Sequence, residues 1–345
     1  MFSVTILPSP TIFLMNSSRF EEITSRYSEL RVAVVGDYSC DRYLEIDPSK
    51  EEISIETNLA VQNITNVRAQ PGASGTVLHN LAALGVTEIW PVGFCGSDGE
   101  GFELQRALKA LHGVKMDYFF ENKKQQTFTY IKPLVMEEGH SPRELSRLDV
   151  KNWHITPRSL QEQMASAIKE LARKVDVMIV LDQVDEPETG VVTPLLLSAI
   201  NEIRDQTLII GDSRKGLKGW PDIIYKMNKT ELIKLTGKPV TMAKDAASQL
   251  AQESGQPVFV TLAEDGIIGA TPNAEVLQSP ALPVKGEIDI VGAGDAVTAN
   301  LATAMISGSN IGEALELANA AASVVIHKLG TTGNASIGEI QSSLA

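Results

Sequence analysis

Three short apolar runs in this chain each stop at an aspartate: "RVAVVGD" ending at Asp37, "VDVMIVLD" at Asp182 and "TLIIGD" at Asp212. A strand wetted on one face alternates apolar and polar residues, and these runs do not. Continuous, β-branched runs of this length suit strands covered on both faces, as in a parallel sheet with helices on each side. Their surroundings agree. From residue 157 the pattern predicts a helix over 157–173, then "VDVMIVLD", a helix over 190–204, "TLIIGD", helices over 229–236 and 241–254, and the strand "PVFVTLA". A hairpin-like "GIIGATPNAEVLQ" and helices over 293–307 and 312–328 complete the series. The expected fold is α/β, a doubly wound and mostly parallel sheet with its site at the carboxyl ends of the strands.

The amino-terminal half carries the same elements with interruptions. A helix capped by Ser17 or Ser18 and running to Leu30, a helix over 74–84 ended by Gly85, the strand "EIWPVG" and a helix over 99–111 are predicted. Two polar, β-branched stretches, about 42–71 and 118–149, read as short strands and predict a small β-rich lid inserted into one domain spanning 31–345. Residues 1–30 read as an extension with a short helix. Met15 is an alternative start, which would set residues 1–14 apart.

Composition narrows the function. With 43 Asp and Glu against 30 Lys and Arg, the net charge of −13 argues against a partner that is nucleic acid or an acidic membrane. Only Cys40 and Cys95 occur, in no CxxC pair, and the five histidines show no metal-ligand spacing. The apolar start has no basic residue before Arg19 and is broken by Pro8 and Pro10, so a secretion signal is not expected. The chain has no run of about 18 apolar residues that would span a membrane, and the cytoplasm is the expected compartment. There is no GxxxxGK[ST], and the glycines of "PVGFCGSDGEG" make no clean dinucleotide fingerprint, which argues against P-loop chemistry and a nicotinamide-dependent dehydrogenase.

The chemistry concentrates in "IDIVGAGDAV", residues 288–297, at the mouth of a predicted helix. Gly292 and Gly294 free backbone N–H groups to meet an anion, and the helix dipole favours one. Asp295 would repel it, so the combination points to a reaction rather than to anion binding alone. "NKTE" offers Asn228 and Glu231 as a capping box, or as a carboxylate that organises magnesium-bound water beside phosphates. "GDYSCD" presents Asp37 and Asp41, which either cap and pack or grip sugar hydroxyls.

Together these motifs resemble the ribokinase, or phosphofructokinase-B, family of carbohydrate kinases over about residues 31–340. The residues that carry the likeness are Asp289, Gly292, Ala293, Gly294 and Asp295 (DxxGAGD), Asn228 to Glu231 (NxxE), "GFCGSDGEG" and "PGASGTVLHNLAALG". "VVGDYSCDRY", "SRLD" and "ALELANAAASVVIHKLGTTGNASIGEI" are similar to the heptose 7-phosphate kinase domains within that family. The resemblance implies an ATP- and Mg2+-dependent sugar kinase. Asp295 would be its base, and the backbone of Gly292, Ala293 and Gly294 its anion hole. It assigns sugar contacts to Asp37, Asp41, Gly72 and Thr76, and nucleotide contacts to Asn228, Glu231, Thr261, Gly266, Asn319 and Lys215. It also implies water-mediated Mg2+ at Glu231, a monovalent cation such as K+ at Asp289, and a homodimer formed through the lid. The substrate would be a small sugar or sugar phosphate, heptose 7-phosphate among them.

The chain also departs from the family pattern. Ala73 and Thr76 stand where the substrate motif has a second glycine and an asparagine, Ala263 where relatives have Gly or a small polar residue, and Ile290 where the signature often has threonine. "DSRKG" (Asp212 to Gly216) replaces "DPKG". These departures support an alternative, a sugar- or nucleotide-binding protein of the same fold with impaired turnover.

Overall fold

The computed structural model describes residues 15–344; the stretch 1–14, read above as separable, lies outside the described residues. Strand β1 (Arg31–Gly36) is buried from Val32 onward, and its side chains divide by parity. Val32 and Val34 join one apolar cluster, and Ala33 and Val35 the other. With side chains alternating across the strand, an unbroken apolar run therefore feeds two cores, one on each face of the sheet.

The elements around it follow in chain order. Helix α1 (Ser17–Thr24) precedes β1, and β2 (Tyr38–Ile46), β3 (Glu52–Ile53), β4 (Ala60–Val61) and β5 (Ile64–Ala73) follow it. Next come α2 (Ser74–Ala83), β6 (Glu88–Gly96), α3 (Gly99–Ala110), β7 (Phe119–Asn122), β8 (Phe128–Val135), β9 (Arg143–Glu144) and β10 (Leu148–Val150). The regular series is α4 (Arg158–Leu171), β11 (Val177–Asp182), α5 (Pro194–Ile203), β12 (Leu208–Ser213), β13 (Ile224–Asn228), α6 (Lys229–Thr236), α7 (Ala243–Ser254) and β14 (Val258–Thr261). The chain closes with β15 (Ile267–Ala270), β16 (Leu277–Ser279), α8 (Ala293–Ile306), α9 (Ile311–Ile326) and α10 (Ile337–Leu344).

Nine strands form the main sheet in the order β16-β15-β14-β13-β12-β11-β1-β6-β7. Pairing is parallel from β7 to β14, and β15 and β16 add an antiparallel edge. Helices α2, α3, α8 and α9 cover one face, and α4, α5 and α7 the other. Because β1, β11, β12 and β13 run the same way, Asp37, Asp182, Asp212 and Asn228 all emerge on one edge, as expected of such a sheet.

A second sheet runs β10-β8-β2-β5, with β9 paired to β8. It draws on both stretches expected to be β-rich, with two differences. Strand β2 starts at Tyr38, because the chain passes directly from one sheet to the other after Gly36. Phe119–Asn122 pairs in parallel with β6 and so extends the main sheet. Helix ends differ by a few residues for local reasons: Asn16, not a serine, caps α1, and Thr193 with Pro194 starts α5 four residues later than expected.

Candidate active site

The site is built from the mouth of α8 outward. Gly292 is left-handed at φ +85°, and a Cβ there would fall 2.9 Å from Thr332 Cγ2, so the turn needs glycine. The Ala293 amide donates to Ile290 O at 3.3 Å, whereas the Gly294 and Asp295 amides have no acceptor among the described residues. Unpaired first-turn donors at a positive helix end are suited to an anion. Of the expected anion-hole residues, Ala293 has its amide engaged within the turn, and the Gly294 amide is open.

Asp295 follows in the same turn. Burial pushes its carboxyl up to about 7; the Lys226 ammonium opposes the rise, and the nearby Asp212 carboxylate adds to it. Lys226 lies inside β13 and Asp212 at the end of β12, and they form a buried ion pair at 2.7 Å. Despite its burial, the Asp212 charge raises the lysine's pKa, so Lys226 stays positive beside Asp295. Thr298 Oγ1 donates to Gly294 O at 3.0 Å and reaches Asp212 Oδ2 at 3.4 Å, tying the helix to this pair.

A cavity of about 490 Å³ opens onto this floor. Of the sequence-predicted residues it gathers Asp41, Thr76, Asn228, Glu231, Gly292, Gly294 and Asp295. Asp41 on β2 accepts from Lys132 of β8 at 2.8 Å and from Ser39 at 3.2 Å. Asn228 and Glu231 make the complete capping box of α6 and also face the cavity. Both Glu231 oxygens accept from Asn228, at 2.7 and 2.8 Å, and burial followed by the Asp212 charge raises its pKa. Each oxygen keeps a second lone pair, so this carboxylate suits Mg2+ held through water and phosphates rather than directly.

Asp37 and Gly72, expected to contact sugar, do not line this cavity. Asp37 is buried and accepts backbone amides of Gln183 (2.8 Å), Val184 (3.0 Å) and Val191 (2.7 Å), so it ties β1 to the loop after β11. Burial raises its pKa and these amides oppose the rise. Gly72 serves as a spacer, since a Cβ there would fall 2.1 Å from Asp41 Oδ1.

Five other predicted residues stand outside the cavity lining. Gly266, at φ +84°, packs against Ser279 O, and Asn319 Nδ2 donates to Ser279 O (2.8 Å) and Pro280 O (3.0 Å). Thr261 Oγ1 reaches Met227 O at 3.5 Å. The first two join the β15–β16 edge to α9. Lys215 pairs with Asp182 at 3.0 Å. Asp289 accepts from Val291 N at 3.0 Å and lines an adjoining cavity with Gly330.

Sequence reading missed Lys226, Lys132, Arg147, Tyr130 and Arg214, all on the cavity wall. A lysine inside an apolar strand, as in "IIYKMN" and "FTYIKPLV", was the available signal, because a buried cation needs an acid. The departures are informative too: Ala73 and Ala263 lie at φ +53° and +54°, the region that favours glycine.

A doubly wound sheet with a second β-sheet at its carboxyl edge, and glycines and an acid opening a helix there, defines the ribokinase-like class. Solved structures share it. Phosphofructokinase-2 from Escherichia coli in complex with fructose-6-phosphate superposes with a TM-score of 0.71 at 19% identity, covering 91% of this chain and 98% of that one. Arabidopsis thaliana ribokinase complexed with ribose and ATP gives 0.65 at 22% identity, covering 91% and 98%. Residues 215–337 match the pfkB family carbohydrate kinase model. The chain thus has a ribokinase-like fold in which residues 215–337 are similar to the pfkB family carbohydrate kinases. It is similar to bifunctional protein HldE of Paramagnetospirillum magneticum (30% identity) and of Azorhizobium caulinodans (28%), over 90% and 87% of its own length. It spans 63% and 61% of the length of those relatives.

Proposed function

We propose that this chain transfers the γ-phosphoryl group of ATP to a hydroxyl of a sugar or sugar phosphate. The observation that carries the reading is one cavity holding Asp295, with its pKa near 7, beside the unpaired Gly294 amide and together with Asp41. Bound MgATP supplies the phosphoryl group and part of the charge neutralisation. The protein's own residues supply the rest. Asp295 takes the proton of the acceptor hydroxyl as that oxygen bonds to phosphorus and the bond to the ADP oxygen breaks. The Gly292–Asp295 turn would meet the phosphoryl oxygens, and Glu231 would hold Mg2+ through water. Asp41, with Lys132 fixing its position, accepts sugar hydroxyls.

Lys132 and Arg147 on the same wall favour an acceptor that carries its own phosphate, and the heptose 7-phosphate suggested by the sequence is the first to try. Thr261, Gly266 and Asn319 would border the nucleoside, Asp289 a monovalent cation, and the second sheet would close as a lid that excludes water. The same sheet supports a homodimer. Among the described residues no helix is long and apolar enough to cross a membrane, and a cytoplasmic setting supplies the ATP this reading requires.

A second reading, binding without turnover, is favoured by the Ala73 methyl group on the cavity wall. The test that separates them is ADP release from MgATP with a panel of pentoses, hexoses, heptoses and their phosphates. Acceptor-dependent release is expected. ATP binding with no turnover across the panel would establish the second reading instead.

A further inference from the structure

Tyr43, on β2, stands in register with Arg68 of β5 and Lys132 of β8, and two residues earlier Asp41 stands in register with Gln70 and Tyr130. Side chains two apart on a strand share a face, so these six lie together on one side of the second sheet. Tyr43 is buried, and its ring is flanked by the Arg68 guanidinium at 4.7 Å and the Lys132 ammonium at 4.8 Å. Its hydroxyl accepts from Lys132 Nζ at 3.2 Å and from Gln70 Nε2 at 3.1 Å, and lies 3.5 Å from Thr332 Oγ1. Two accepted bonds use both lone pairs of a phenol, which leaves its proton for Thr332.

Each neighbour has a second attachment. Lys132 Nζ donates to Asp41 Oδ2 at 2.8 Å. Gln70 Oε1 accepts from Thr331 Oγ1 at 3.1 Å, and Arg68 donates to Gly330 O at 3.3 Å. Thr332 lines the cavity, and its Cγ2 is the atom a Cβ at Gly292 would meet at 2.9 Å. The 330–332 loop is therefore gripped by Tyr43, Gln70 and Arg68 on one side and packs against the mouth of α8 on the other.

We propose that Tyr43 is a positioning residue that holds the Asp41–Lys132 pair in register with the Gly292–Asp295 turn. This rests on the kinase reading above. Transfer needs the acceptor oxygen within about 3–3.5 Å of phosphorus, yet Asp41 sits on one sheet and Asp295 on a helix packed against the other. The Tyr43 hydroxyl joins the two, through Lys132 on one side and Thr332 on the other.

The test compares the wild type with Tyr43→Phe, which keeps the ring between its two cations and deletes the hydroxyl. In the ligand-free proteins, hydrogen exchange of the 329–334 amides should be about fivefold faster in the variant, with β11 and β12 unchanged. With an acceptor from the panel above, kcat/KM for that acceptor should fall about tenfold while KM for MgATP moves less than about twofold. A merely structural role would lower the melting temperature and disturb both substrates alike, and that result would overturn the proposal. Exchange over 329–334 that matches the wild type would overturn it too. A wild type that turns over no acceptor would bring down the kinase reading and the positioning role with it. The exchange data, which need no substrate, separate that failure from a missing link between sheet and loop.

Discussion

At the scale of single residues, Asp295 decides the most. Its folded pKa of about 7 lies above the ordinary aspartate value of 3.8, because ionisation at the cavity floor gives up water that Lys226 only partly replaces. The native state therefore holds a proton that the unfolded chain has released between about pH 4 and pH 7. Stability contributed by the protonated form is fully present below about pH 4 and lost as pH rises through about 7. Asp295→Asn should consequently be more stable than wild type at pH 8, by up to a few kcal/mol, and the gain should shrink toward pH 4. The same substitution should cut turnover by about 10² or more, and wild-type activity should rise through an acid limb near pH 7. Denaturation at three pH values and a pH–rate profile check both halves. An undiminished rate would remove Asp295 from the chemistry.

Elements show where sequence patterns carried meaning and where they were ambiguous. The capping box at Asn228 and Glu231 is both a helix start and a cavity wall, so neither reading of "NKTE" excluded the other. The strand-end aspartates looked alike in sequence and differ in fact: Asp37 is saturated by amides, Asp182 holds Lys215, and Asp212 holds Lys226. Their neighbours across strands made that distinction, and no local pattern contains them. Helix α2 starts at a strained residue, since Ala73 carries φ +53° and ψ −122° at its N-cap, where a Cβ is costly. Ala73→Gly should raise stability by about 1 kcal/mol, the relief of strain exceeding the added freedom of the unfolded chain. Urea unfolding would show it as a higher midpoint with an unchanged slope.

Over the whole molecule, the second sheet has an open side. Strand β5 is its edge, and Ile64 and Val67 on it are exposed, as are Ile53, Ile55 and Leu59 around the β3–β4 hairpin. An apolar edge strand left uncovered is a template for pairing. The lid-mediated homodimer proposed above would cover it, so Ile55→Lys with Val67→Lys should shift sedimentation from dimer to monomer while leaving the fold's circular dichroism intact. A wild type that sediments as a monomer over the micromolar range would exclude that assembly.

The sequence by itself determined the layers, because apolar runs without alternation cannot face water and must lie in a sheet covered on both sides. It also determined the turn at the mouth of α8, since two glycines and an acid there are a local arrangement. Tertiary structure alone decided which charges meet. Lys226 with Asp212, Lys132 with Asp41 and Lys215 with Asp182 all join different strands or the turns that end them. Such pairs depend on strand order and register, and those are settled by how both faces of the sheet pack.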